Sequence, residues 1–201
     1  MIRTSTLISL SSVALRNLCQ RTMLLRHALI YLLLTAPLSG GCVDPVQQEQ
    51  VAALGPEEPG VAVGPLHRSG QPCLICHSSA GEASRFTAAG TVYGTATVRQ
   101  PIGGVKVRLI DASRRSYVAY TNCVGNFFVL PGEFEPVMPM WASLSGYDAD
   151  IDMESPMHKD GDCGFCHKPE KSPSSAGPIF LTEDPQKLDK LPRTTCSGTQ
   201  E

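Results

Sequence analysis

Aromatic residues are scarce in this chain of 201 residues: they make up 6%, with a single tryptophan. No segment carries a 3.6-residue apolar period strong enough to specify a long amphipathic helix. Acidic residues are missing from the first 41 positions, which hold four Arg, while all 19 carboxylates follow. The remainder has 13 Lys and Arg, which gives it a formal charge of −6. With no basic stripe and no positive balance, this part excludes nucleic acid as a partner and has no electrostatic attraction to anionic lipid. Histidine is scarce too: beyond position 41 there are only His67, His77, His158 and His167.

The acid-free leader reads as a secretion signal. From Met23 to Cys42 it has a short basic start, an apolar run and a small-residue end, too short and too interrupted to span a membrane. Residues 1–22 add nothing to that signal, so Met23 stands as an alternative start. Ser39, Gly40 and Gly41 directly before Cys42 resemble a bacterial lipobox. That resemblance implies a lipidated Cys42 as the mature N-terminus; Ser39 departs from the aliphatic residue usual there, and a plain signal peptide is the alternative. From Val43 to about Gly64 the chain is Gln, Glu, Pro, Gly and small aliphatics, the composition of a flexible spacer. The expected layout is a signal peptide over 1–41, a flexible linker over 42–66, one domain over 67–196 with its β core at about 86–150, and a tail over 197–201.

Against the scarcities stands one repeated motif. Cys73-Leu74-Ile75-Cys76-His77 and Cys163-Gly164-Phe165-Cys166-His167 are both Cys-x-x-Cys-His. This is the attachment signature of c-type haem. Two thiols add to the two porphyrin vinyl groups, the two-residue spacer lets both reach one edge of the ring, and the adjacent imidazole lies under the iron. The pattern predicts two covalent haems, with Cys73, Cys76, Cys163 and Cys166 as thioethers and His77 and His167 as proximal ligands. Two other readings remain: a single four-cysteine zinc site, in which neither histidine has a role, and two local disulfides.

The segments leading into the pentads also repeat. His67-Arg68-Ser69-Gly70 precedes Cys73 much as His158-Lys159-Asp160-Gly161 precedes Cys163, with one residue more in the first copy. No other mature histidine is left, so His67 and His158 are the candidate distal ligands. Met157 is the alternative; Met138 and Met153 are weaker rivals, and Met140, beside Trp141, reads as core. Cys123 and Cys196 remain over. In an exported chain unpaired thiols tend to be oxidised, and these two form the candidate disulfide.

Between the pentads the chain is β. Runs at 89–95, 104–111, 116–121, 125–130 and 140–145 are short, β-branched or aromatic, and Val105, Val107 and Leu109 alternate with Lys106 and Arg108. With turn residues such as Pro101, Gly103, Asn122 and Gly132 between them, they predict a mainly β fold, a small antiparallel β-sandwich with short helical or irregular haem-binding segments at either end. Asp148, Asp150, Asp152 and Glu154 fall at every second position. On a strand they share one face, and a solvated edge is the expected reading, ahead of an acidic docking surface or a calcium site.

Gly90-Thr91-Val92-Tyr93, Pro101 to Asp111 and Thr121-Asn122-Cys123-Val124-Gly125-Asn126-Phe127 resemble the carboxypeptidase regulatory-like domain, a transthyretin-like β-sandwich, over about 60 residues. The resemblance implies a folding and adhesion module without catalysis; Cys123 is unusual in that family's turn. Together these features predict an electron-transfer dihaem c-type cytochrome of the bacterial envelope, periplasmic or held at the outer membrane by a lipid anchor, with redox proteins as partners. A non-redox envelope module and, at lower rank, a dihaem peroxidase-like enzyme are the alternatives.

Overall fold

Along the strand Lys106–Asp111, Val107 and Leu109 are buried while Lys106 and Arg108 face solvent, the outcome that period-two alternation demands. The computed structural model describes residues 26, 44–81, 83–97, 99–184, 186–187 and 196. Apart from Arg26, the expected signal peptide lies outside the described residues, as do Cys42 and the tail over 197–201. The chain divides into two units, Met1–Val43 and Asp44–Glu201; only the second is described below.

Among the described residues eight strands make two sheets: β1 Ala88–Thr95, β2 Lys106–Asp111, β3 Ser116–Tyr120, β4 Asn126–Val129, β5 Met140–Gly146, β6 Ala149–Asp152, β7 Gly161–Asp162 and β8 Ile179–Thr182. One sheet has the order β3-β2-β5-β6; the other has β4-β1-β7, with β8 also paired to β1. The core draws on both: Val92, Phe127, Val129 and Leu181 from one, Val107, Leu109, Met140 and Leu144 from the other. The β-sandwich and five of its strands lie where alternation and turn residues put them. β7 and β8, however, join β1 in parallel, β7 at Ala88–Ala89 and β8 at Val92–Thr95. A two-residue strand carries no periodicity to read, which is why β7 left no trace in the sequence.

The signature turn before β4 shows why its residues are required. Thr121 Oγ1 donates to Ile102 O at 2.7 Å and accepts from Val105 N at 3.0 Å, tying the start of β2 to the end of β3. Asn122 Oδ1 accepts from Val124 N and Asn126 N, the local bonding that favours Asn in turns. Gly125 has φ +73°, and a Cβ there would run into Val92 O. The acidic stretch is an edge as expected. Among the described residues β6 pairs only with β5, and Asp150 and Asp152 are exposed on it. The connecting turn has positive φ at both Tyr147 and Asp148, the geometry of a two-residue hairpin loop.

Where composition suggested a structureless spacer, residues Pro45–Ala53 form a helix, α1. Asp44 caps it by accepting from Val46 N at 2.9 Å, and Pro45 occupies a first-turn position that tolerates proline. The helix has no buried residue and no apolar face, so periodicity could not signal it. Its anchor is polar: Gln47 Nε2 donates to Ile75 O, inside the first pentad, at 2.9 Å.

Candidate functional site

Both pentads fold as single helical turns. Cys73–Ile75 is a 3-10 turn and Cys163–Cys166 a short α turn, α2. In each, the histidine amide donates to the carbonyl of the first cysteine, His77 to Cys73 and His167 to Cys163, both at 2.9 Å. The chain then loops back onto its pentad: Phe86 N donates to His77 O, and Ala176 N to Cys166 O.

That return has a chemical result that is the same in both copies. His77 Nδ1 lies 2.6 Å from the carbonyl oxygen of Ser84, and His167 Nδ1 lies 3.0 Å from that of Gly177. A carbonyl accepts only, so Nδ1 must carry the proton in each ring, leaving the Nε2 lone pair free. This tautomer, oriented by a backbone carbonyl, is the one a metal-binding imidazole needs. His77 also stacks on Phe86, with ring centroids 4.0 Å apart, and Phe86 on Phe128 at 4.8 Å.

The four pentad thiols differ in burial. All four are free. Cys163 is buried in the sandwich core, where Gly90 makes room for it: a Cβ on Gly90 would stand 2.8 Å from Cys163 Cβ. Burial, then the charge of Asp162, pushes the Cys73 thiol up to about 12, and burial with the Asp162 and Cys73 charges drives Cys163 further up. Cys166 is exposed, and Cys73 and Cys76 are both half-buried.

The sandwich brings the pentads together, although one precedes its first strand and the other follows β7. Strand β1 is buried along its whole length, and both turns lie against it. The lead-in to the first pentad is fixed there by a buried polar chain. Thr91 Oγ1 donates to Asn126 Oδ1 at 2.6 Å and accepts from Gly70 N at 2.8 Å, while Asn126 Nδ2 donates to His67 O at 3.0 Å. The second pentad follows β7 directly. Its Gly164 packs on Gln71 and Pro72, at the entrance to the first pentad. Thr91, Asn126 and Gly164 therefore shape the site, yet their polar or small side chains in strands and turns gave no functional signal in the sequence.

The two lead-in segments differ in three dimensions. Gly70 adopts φ +79° beneath the Tyr93 hydroxyl, whereas Gly161 lies in β7, pressed against Thr87 and Ala88. His67 comes close to His77, ring centroids 5.8 Å apart and planes 23° apart. A distal ligand would have to aim a ring nitrogen at the metal, whereas these two rings lie face to face. The His67 tautomer is wrong for that role as it stands: Gly64 N donates to Nδ1 at 3.3 Å, placing the ring proton on Nε2. His158 is exposed on the segment before β7. Met157 packs against the core, bridged to Met140 by backbone bonds of 2.9 and 2.8 Å, and Met140 is fully buried.

Cys123 and Cys196 form a disulfide, their Cα atoms 5.3 Å apart. Among the described residues no group of three or more His, Cys, Asp or Glu is arranged to hold a metal ion, so the four pentad thiols do not assemble the four-cysteine zinc site. A cleft of about 490 Å³ lies beside α1 and the two turns. It is lined by the spacer residues Leu74, Ile75 and Phe165 and by Arg85, Phe86 and Asp162, not by the thiols or pentad imidazoles. Among the described residues no helix is long and apolar enough to cross a membrane.

No family model matches the chain, and no curated protein or solved structure does.

Proposed function

We propose that this chain is a dihaem c-type electron carrier of the bacterial cell envelope. The observation that supports it is the paired tautomer: in both Cys-x-x-Cys-His turns a backbone carbonyl takes the Nδ1 proton and frees Nε2. A zinc knuckle or a disulfide gives that histidine no task, and two independent loops would not both orient it by accident. Cys166 is exposed, and Cys73 and Cys76 are half-buried. Cys163 is packed into the core, so the cofactor has to be joined before it closes there.

Haem bound at these positions supplies one-electron chemistry at iron. The chain's own part is to tether, orient and shield. Cys73, Cys76, Cys163 and Cys166 hold the groups, His77 and His167 ligate from one side, and the contact between the turns keeps the two groups close. His67 and His158 are the proposed distal ligands. For His67 this requires the Gly64 contact to yield, so that Nδ1 takes the proton and Nε2 turns to the metal. The lipobox-like segment before Cys42 supports a lipid anchor, and the charge of −6 suits redox partners with a basic face.

Expression in an exporting host with haem-attachment machinery tests the reading. Mass after acid–acetone extraction should show two covalent haems per chain, one of them lost in Cys73→Ala/Cys76→Ala and the other in Cys163→Ala/Cys166→Ala. A second reading, a haem-free envelope module, is favoured by one observation only, the burial of Cys163 in the core. A colourless protein with four free or oxidised pentad thiols would decide for it. Carbon monoxide binding to the reduced protein separates a closed iron from an open one, and with it the carrier from the peroxidase-like alternative.

A further inference from the structure

One carboxylate stands between the two attachment turns. Asp162 closes β7 and is the N-cap residue of α2. It is 8% exposed, and its Oδ1 is the one buried side-chain oxygen or nitrogen among the described residues without a hydrogen-bond partner. Three amides lie around the carboxylate: those of Gly164 and Phe165 in its own turn, and that of Leu74 in the other. Within its own turn Asp162 closes no side-chain cap bond. The first turn has no cap of its own, because its N-cap residue is Pro72, whose side chain offers no acceptor. The packing of Gly164 on Gln71 and Pro72 holds the two turn entrances side by side, so one acceptor can serve both.

We propose that Asp162 is a positioning residue that serves as the common N-terminal acceptor of both pentad turns and so fixes them relative to each other. Its partner in the first turn is 88 positions away in sequence. An unpaired buried oxygen is costly, and the unoccupied side of this one is open to shared use by turns that are otherwise uncapped at that end.

The proposal rests on the dihaem reading for its importance but not for its test, which reads thiol reactivity in the mature haem-free chain. Three variants divide the roles. Asp162→Asn removes the charge and keeps an acceptor of the same length. Asp162→Ser keeps a short acceptor able to cap its own turn but unable to reach Leu74. Asp162→Ala removes both. Alkylation of each cysteine at neutral pH is followed by mass spectrometry. Cys73 should react about five to ten times faster in Asp162→Ser and Asp162→Ala than in Asp162→Asn, the factor expected for loss of one cap. Cys166 should change in Asp162→Ala alone. If Asp162→Ala does not fold, the serine and asparagine variants still decide the matter. Equal Cys73 rates in those two would overturn the proposal, because Asp162 would then serve its own turn only. In the haem-loaded protein, Asp162→Ser should alter the spectrum of the haem at Cys73–His77 and Asp162→Asn should restore it. A chain that takes no haem would sink the dihaem reading and leave the thiol result standing.

Discussion

Gly164 rests on the backbone of Gln71: a methyl group at position 164 would lie 2.7 Å from the Gln71 carbonyl oxygen and 2.8 Å from Pro72 Cα. Backbone atoms cannot swing aside as a side chain can. The second turn must therefore withdraw from the first when any side chain is added. Gly164→Ala should cost about 1–3 kcal/mol, the usual cost of overpacking. Urea denaturation gives that figure. Faster alkylation of Cys73 in the variant would show that the strain is relieved by parting the turns, and an unchanged stability would show that they are not in contact.

The polar chain Gly70–Thr91–Asn126–His67 makes a second, separate prediction. Asn126 is buried, and it satisfies the Thr91 hydroxyl and the His67 carbonyl together. Asn126→Ala leaves both without that partner, at a cost of about 1–3 kcal/mol. Hydrogen exchange should rise most at the amide of Gly70, which donates to Thr91. Equal exchange across the sandwich would indicate a general loosening and no special hold on the first pentad.

Val107, Leu109, Thr121, Asn122 and Gly125 made the sandwich legible because each obeys a local rule: alternation for the first pair, turn chemistry for the rest. The pentads stood out for the same reason, since each motif is a run of five consecutive residues. What decides their relation is non-local. Gly164 matters because of Gln71, Gly90 because of Cys163, and Asp162 because of Leu74, each partner lying more than 70 positions away. α1 was missed for a different reason. It is held by polar bonds, Gln47 Nε2 to Ile75 O and Gln71 Nε2 to the carbonyl of its C-cap residue Leu54, and a helix without an apolar stripe has no periodic signature. The resemblance of His67 and His158 to each other is sequence deep only, because Gly70 and Gly161 turn the chain in unlike ways.

The Cys123–Cys196 bond closes a separation of 73 residues and ties the end of the described chain to the turn before β4. Cross-linking a loop of that length restricts the unfolded chain, and its removal should cost about 2–4 kcal/mol. The double variant Cys123→Ser/Cys196→Ser avoids leaving one thiol free to pair with a pentad cysteine. Reduction of the wild type should reproduce its denaturation midpoint. A midpoint equal to that of the oxidised protein would show that the bond does not form in solution.

Asp162 and Asp111 should respond to pH in opposite directions. Burial, then the charge of Asp160, pushes the Asp162 carboxyl up to about 6, while the surrounding amides pull it down. In an unfolded chain an aspartate titrates near about 3.9. Between about pH 4 and 6 the folded protein thus holds a proton that the unfolded chain has released, and stability falls as pH rises through that window, by roughly 3 kcal/mol in total. Asp111 is also buried, but the amides of Val137 and Arg115 and the Arg115 guanidinium outweigh burial and hold its carboxyl below the ordinary value. Its contribution is present above about pH 4 and is lost as pH falls further. The windows do not overlap, so one variant isolates the first. In the haem-free chain Asp162→Asn removes the titration and leaves every other group alike in both proteins. Its unfolding free energy, measured against wild type, should improve by roughly 3 kcal/mol from pH 4 to pH 7. A difference that stays constant across that range would mean that Asp162 is ionised in the folded state throughout, and that the amides of the two turns already satisfy it in full.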